Sequence, residues 1–183
     1  DAAMLFADVS GWSALVTEMS AKGKQGADEI SRQLNLFFGA MIDTIDAYGG
    51  SVEKFAGDAV MAQWPVVESE TLARAVERAT QCGMELVARL STVDSALTAH
   101  AGVGCGSLLT VRSLLTQNRG LYLLTGEPLV QMSEAAEAAS AQQVCVSHAA
   151  ASTRREGRTH SSRCLLRRCE YRDRCYFRTR SRP

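Results

Sequence analysis

Apolar residues fill almost every position from Ala2 to Ala7 and break at Asp8, a run that predicts a buried strand over residues 2–9. Ser10 and Gly11 supply the turn that ends it. After a polar stretch containing KGKQGAD, apolar positions recur at Ile30, Leu34, Phe37, Phe38, Met41, Ile42 and Ile45. That spacing predicts an amphipathic helix, with Asp28 as its N-cap and Gly49-Gly50 as its stop. Two short strands follow at about 51–56 and 59–64, joined by Gly57-Asp58 as a two-residue hairpin turn and closed by Pro65. A second helix is expected from a Ser69 cap through Leu72, Val76, Ala79, Leu86, Val87 and Leu90. Strands near 98–112 and 120–125 come next, then the helical stretch GEPLVQMSEAAEAAS and a last short strand in QQVCVS. The first six elements spell βαββαβ, so the fold class is α+β. The expected architecture is a ferredoxin-like sheet with helices packed on one face, extended by additional strands and a helix.

At residue 154 the periodicity disappears. Residues 154–183 hold eleven Arg and three acids, a balance of about +8, which leaves about −8 on the rest of a chain whose formal net charge is zero. The chain is therefore divided into a globular domain over residues 1–150 and an arginine-rich tail over 151–183, expected to be disordered or irregular because like charges repel and apolar anchors are few. Arg interleaved with Tyr and Phe suits RNA or an acidic surface, but no nucleic-acid-binding module accompanies it and DNA binding is not expected. Cys82, Cys105 and Cys145 lie scattered in apolar segments and fit buried free thiols. Cys164, Cys169 and Cys175 share the tail with His160, yet their spacing lacks the close C-x-x-C pairs that mark a zinc site.

No apolar run approaches the roughly 18 residues of a membrane span, and no basic-then-apolar signal peptide opens the sequence. A cytoplasmic protein, or the cytoplasmic part of a larger one, is the expectation. The start at Asp1, directly on a strand, suggests a segment of a longer chain.

Chemistry concentrates at two aspartates. Asp8 ends the first strand, Asp58 sits at the hairpin tip, and a ferredoxin-like sheet brings those two strands side by side. Paired carboxylates next to a glycine turn can hold Mg²⁺ ions that bridge nucleotide phosphates. Gly11 lets backbone N–H groups approach a phosphate closely. Taken singly, each aspartate is ordinary turn or strand-end chemistry.

Three stretches change that balance. FADVSGWSAL at 6–15, LNLFFGAMIDTIDAYGGSVEKFAGDAVMAQW at 34–64 and LTGEPLVQMSEAAEAASAQQVCVS at 124–147 together resemble the class III adenylyl and guanylyl cyclase catalytic domain over residues 2–148. KFAGDAVMAQW is especially similar to the soluble, bicarbonate-responsive adenylyl cyclases. The resemblance implies a reaction, ATP to cyclic AMP and pyrophosphate, in a site formed between two paired halves. It implies that Asp8 and Asp58, with the Val9 carbonyl, bind two Mg²⁺ ions, for which Mn²⁺ can substitute. It also implies that backbone amides of Val9, Ser10, Gly11 and Trp12 cradle the phosphates.

The third stretch departs from the family pattern. Where the complementing surface carries an adenine-reading acid, an Asn and an Arg, this chain has Leu123, Val130 and Glu134. The resemblance therefore implies a metal-bearing half, weak or inactive alone, whose partner half supplies the missing donors. Lys54 then faces a second, degenerate pocket with Leu123, Val130 and Ser133. In the soluble cyclases that pocket takes bicarbonate, and Ser133 stands where its second cation is expected. The alternative is a pseudocyclase, a dimerisation or regulatory module without turnover. A diguanylate cyclase is disfavoured because GGDEF is missing and GDAVMA is the wrong turn.

Overall fold

A computed structural model describes residues 1–93, 97–116, 119–156, 167–168 and 175–178. Strand β1 (Ala2–Ser10) leads through a short helix α1 (Trp12–Ser20) into the long helix α2 (Lys24–Ala47), then the hairpin β2 (Ser51–Ala56) and β3 (Ala59–Pro65). Helix α3 (Leu72–Val93) and β4 (Thr98–Gly106) complete the ferredoxin-like unit. Strands β5 (Leu109–Thr116) and β6 (Arg119–Thr125), helix α4 (Glu127–Glu137), strand β7 (Gln143–Val146), helix α5 (His148–Glu156) and the short strands β8 (Arg167–Arg168) and β9 (Cys175–Arg178) follow.

The main sheet has seven strands in the order β2-β3-β1-β4-β7-β9-β8, with β1 between β3 and β4 as a ferredoxin-like unit requires. β1 runs antiparallel to both neighbours, Ala7 pairing with Val60 on one side and Ala101 on the other. Successive side chains on a strand point to opposite faces. Leu5, Ala7, Val9, Val60, Ala62, Trp64, Ala101 and Val103 therefore share one face, and they form the core with Phe37, Met41, Ile45, Val76, Ala79, Leu86 and Leu90 from α2 and α3. Trp64 is fully buried and its Nε1 donates to the Tyr48 carbonyl at 3.0 Å, which ties the end of α2 to β3. Loss of a buried Trp side chain costs about 3–5 kcal/mol, so Trp64 is a principal anchor of the hairpin.

The opposite face carries Phe6, Asp8, Met61, His100, Gly102 and Gly104, and α4 lies on it. Backbone-to-backbone contact is close enough there that a Cβ at Gly102 would sit 2.1 Å from the Met132 carbonyl oxygen, and one at Gly104 would sit 2.4 Å from that of Pro128. The unit's α2 and α3 thus share a face, while the added helix α4 covers the other.

Several boundaries differ from the sequence expectation. Helix α2 begins at Lys24, so Asp28 lies inside it and the residue before the helix is Gly23, with φ 66°. The unexpected α1 explains this, because it packs back on α2 so tightly that a Cβ at Gly26 would overlap the Met19 carbonyl. Helix α3 starts at Leu72, with the Arg74 N–H donating to Thr71 Oγ1 at 3.4 Å in the place expected for a Ser69 cap. The strand expected over 98–112 divides at Gly106 (φ 140°), where the chain leaves the main sheet to form the separate β5–β6 ribbon.

Regular structure also continues past residue 150. Ala150 and Ala151 of α5 are buried in the core, and β9 pairs antiparallel with β7 from Gln143↔Arg178 to Val146↔Cys175. The irregular tail expected from 151 is corrected to this extent: apolar α5 residues reach the core, and the exposed edge of β7 offers unpaired backbone groups that β9 takes up. His160, Cys164 and Cys169 of the weak zinc reading lie outside the described residues.

Candidate nucleotide and metal site

The register places the two aspartates at one end of the sheet. β1 pairs with β3 as far as Ala7↔Val60; Asp8 follows next on β1 and Asp58 lies in the β2–β3 turn just before β3, so both come at the same end of the sheet. Asp58 follows Gly57, whose φ of 67° fits the first central position of a tight hairpin turn, and it is partly buried. The Asp8 side chain is 38% exposed and pairs across β4 with His100, whose Nε2 lies 3.9 Å from Asp8 Oδ2.

Beside them, β1 runs into α1 through Gly11 in the left-handed region (φ 99°), and no side chain caps the helix. The first N–H groups of a helix lack intrahelical acceptors and carry the positive end of its dipole, which suits an anion. Trp12 holds this turn in place by stacking on Phe37, with ring centroids 5.2 Å apart. The aromatic contacts continue from Phe37 to Phe38 at 5.3 Å and from Phe38 to Phe55 on β2 at 4.7 Å. The α1 turn and the hairpin that carries Asp58 are thereby fastened to the same stretch of α2.

Asp8 and Asp58 are hard oxygen donors of the kind Mg²⁺ prefers. Among the described residues no three or more His, Cys, Asp or Glu side chains gather as a metal-holding cluster. The donor set fits a divalent cation that takes its remaining ligands from backbone carbonyls, water and phosphate oxygens, the usual coordination of Mg²⁺ at nucleotides.

Lys54 is exposed on β2 and pairs with Met61, which pairs in turn with Phe6, so it shares a sheet face with Asp8 but stands two strands away, ~10 Å at ordinary strand spacing. Leu123 on β6 and Val130 on α4 are about half exposed, and Ser133 and Glu134 on α4 are exposed as well. The ribbon carrying Leu123 is braced to β2 through Glu53, which accepts hydrogen bonds from the Tyr122 hydroxyl and from Gln63 Nε2. The Arg112 guanidinium lies 5.3 Å from the centre of the Tyr122 ring. Sequence reasoning missed this brace, the aromatic series and His100. The one signal for His100 was the alternation HAGVG, which places an imidazole in a row otherwise reduced to glycines.

No family model matches the chain. It is 30% identical over 97 residues to adenylate cyclase type 10 of Oryctolagus cuniculus, a stretch that covers 52% of this chain and 6% of that protein. The chain thus spans only a small part of the curated relatives it matches. The solved structure of the guanylyl cyclase Cya2 matches with a TM-score of 0.69 at 18% identity, covering 96% of this chain and 88% of that one. The adenylyl cyclase CyaB from P. aeruginosa matches with a TM-score of 0.69 at 18% identity, covering 99% and 94%. The fold is that of the class III nucleotide cyclase catalytic domain. In sequence, the chain is similar to an adenylate cyclase over about half of its length.

Proposed function

We propose that this chain is the metal-bearing half of a class III nucleotide cyclase, converting ATP to cyclic AMP and pyrophosphate when paired with a complementary half. The observation that carries this reading is that Asp8 near the end of β1 and Asp58 in the β2–β3 turn come at the same end of the sheet, where β1 runs into the open N-terminus of α1. Asp8, Asp58 and the Val9 carbonyl hold the cations, and the amides of Ser10, Gly11 and Trp12 orient the triphosphate. Two Mg²⁺ ions, or Mn²⁺ in their place, would supply charge neutralisation and a lowered pKa for the ribose 3′-hydroxyl. The 3′-hydroxyl gives up its proton to solvent, and the 3′-oxygen bonds to the α-phosphorus as the bond to pyrophosphate breaks. Adenine follows from the name of the sequence relative, since the base-reading groups belong to the partner half.

Support for pairing comes from α4 and β6, where Leu123, Val130 and Glu134 offer no amide or guanidinium to a transition state. The same residues favour the second reading, a pseudocyclase that pairs without turnover. The cytoplasm, with its ATP and Mg²⁺, is the setting this function requires. Among the described residues no helix is long and apolar enough to cross a membrane. At the degenerate pocket an anion such as bicarbonate would meet Lys54 with Ser133 in place of a second cation, and saturating bicarbonate is expected to change turnover less than twofold.

The test is cyclic AMP formation by the chain alone and after co-expression with a cyclase half that carries the missing Lys, Asn and Arg. Little activity alone, turnover in the pair, and a fall of about 10³-fold on Asp8→Ala support the proposal. A mutated pair that keeps its normal rate would refute the metal role, and a pair that assembles without turnover would establish the pseudocyclase.

A further inference from the structure

The pairing of His100 with Asp8 is used by nothing in the proposed reaction. Both residues lie on the sheet face opposite the α2–α3 core, directly across the β1–β4 ladder from one another. Nε2 and Oδ2 are 3.9 Å apart, which exceeds hydrogen-bond distance. Two donors that each bind a cation at about 2.1 Å can stand up to about 4.2 Å apart, so the observed separation falls within the reach of one shared ion. The His100 side chain is 21% exposed and the Asp8 side chain 38% exposed, so both remain accessible from the same side. Both residues are held by the β1–β4 ladder, and beyond His100 the same row continues as Gly102 and Gly104, on which α4 packs.

We propose that His100 joins Asp8 as a ligand of the cation bound there, which gives this site a preference for Mn²⁺ or a later first-row ion over Mg²⁺. The inference rests on the metal role of Asp8 stated above and adds a nitrogen donor to it. Imidazole is a good ligand for later first-row divalent ions and a poor one for Mg²⁺, which keeps to oxygen and gives up water reluctantly. A carboxylate and an imidazole together therefore select differently from two carboxylates. A plain cross-strand ion pair is the competing account, and it predicts no change in metal selectivity.

The experiment measures Mn²⁺ and Mg²⁺ binding to the full chain by calorimetry, and the surroundings of bound Mn²⁺ by pulsed electron paramagnetic resonance. His100→Ala is expected to weaken Mn²⁺ binding about tenfold or more while leaving Mg²⁺ binding within about twofold. A ¹⁴N coupling to bound Mn²⁺ should be present in the unaltered chain and lost in His100→Ala, with circular dichroism confirming that the variant folds. Mn²⁺ that binds in an Asp8-dependent manner with no ¹⁴N coupling, and equally well in His100→Ala, overturns the inference and spares the metal role of Asp8. Mn²⁺ binding that neither Asp8→Ala nor His100→Ala alters, or no binding at all, overturns both.

Discussion

The Asp8–Asp58 end of the sheet and the α4–β6 surface present opposite chemistry. The first offers two carboxylates, an imidazole and an uncapped helix start, held by strand pairing and aromatic contacts. The second exposes Leu123 and Val130, with Leu109, Val111 and Leu121 on the same side of the β5–β6 ribbon. A charged site needs donors in fixed places, whereas an apolar exposed face suits covering by another surface. The contrast teaches that one end of the sheet gathers hard oxygen donors and an open helix start, while the α4–β6 surface presents apolar side chains.

The sharpest way to break that contrast is to alter each region in a paired enzyme. Asp58→Asn should lower turnover by about 10²-fold or more, while Val130→Ala should leave the per-pair rate within about threefold. Comparable losses in a saturated pair would dissolve the distinction. A second approach restores the donors: Leu123→Asp, Val130→Asn and Glu134→Arg together should raise the activity of the chain alone about tenfold, measured as cyclic AMP at high protein concentration. No gain would show that α4 and β6 do not complement the aspartates of a second copy. Lys54→Ala should change turnover less than about threefold, because Lys54 stands two strands from Asp8, and a loss as deep as that of Asp58→Asn would place Lys54 in the reaction site.

The smallest effect concerns the core beneath both regions. Burial pushes the Cys82 thiol from an ordinary value of 9.0 up to about 12, with Glu85 adding to the shift. A thiol whose folded pKa is raised contributes stability fully at pH below the unfolded value and loses it as pH rises through the folded one. Stability measured by urea unfolding should therefore decline between pH 9 and about 12, and Cys82→Ala should flatten that part of the profile. An unchanged slope in the variant would remove Cys82 from the account.

Much of this was legible in the sequence because the responsible forces are local. The 2–9 run, the Gly57-Asp58 turn and the apolar spacing of α2 and α3 report strand, turn and helix directly. The missing pieces depend on partners distant in the chain. Helix α1 is nine residues long, too short to be stable by itself, and it forms because Trp12 finds Phe37 and because Gly26 admits the Met19 carbonyl. Thr71 in place of Ser69, the Tyr122–Glu53 brace and the β7–β9 pairing likewise depend on where remote segments come to rest. Asp8 and Asp58 could be singled out from motif context, but His100 needed the β1–β4 register, since one histidine between two alanines carries no local signal.

Gly102 and Gly104 act as a depth stop. Because neither carries a side chain, α4 settles to backbone contact with β4, and the outward height of Val130 and Ser133 is set by the thickness of two polypeptide backbones. Any side chain at either glycine would shim the helix outward and lift its whole exposed surface from the sheet. The relief of the exposed α4 surface is thus written in two positions that lie beneath it.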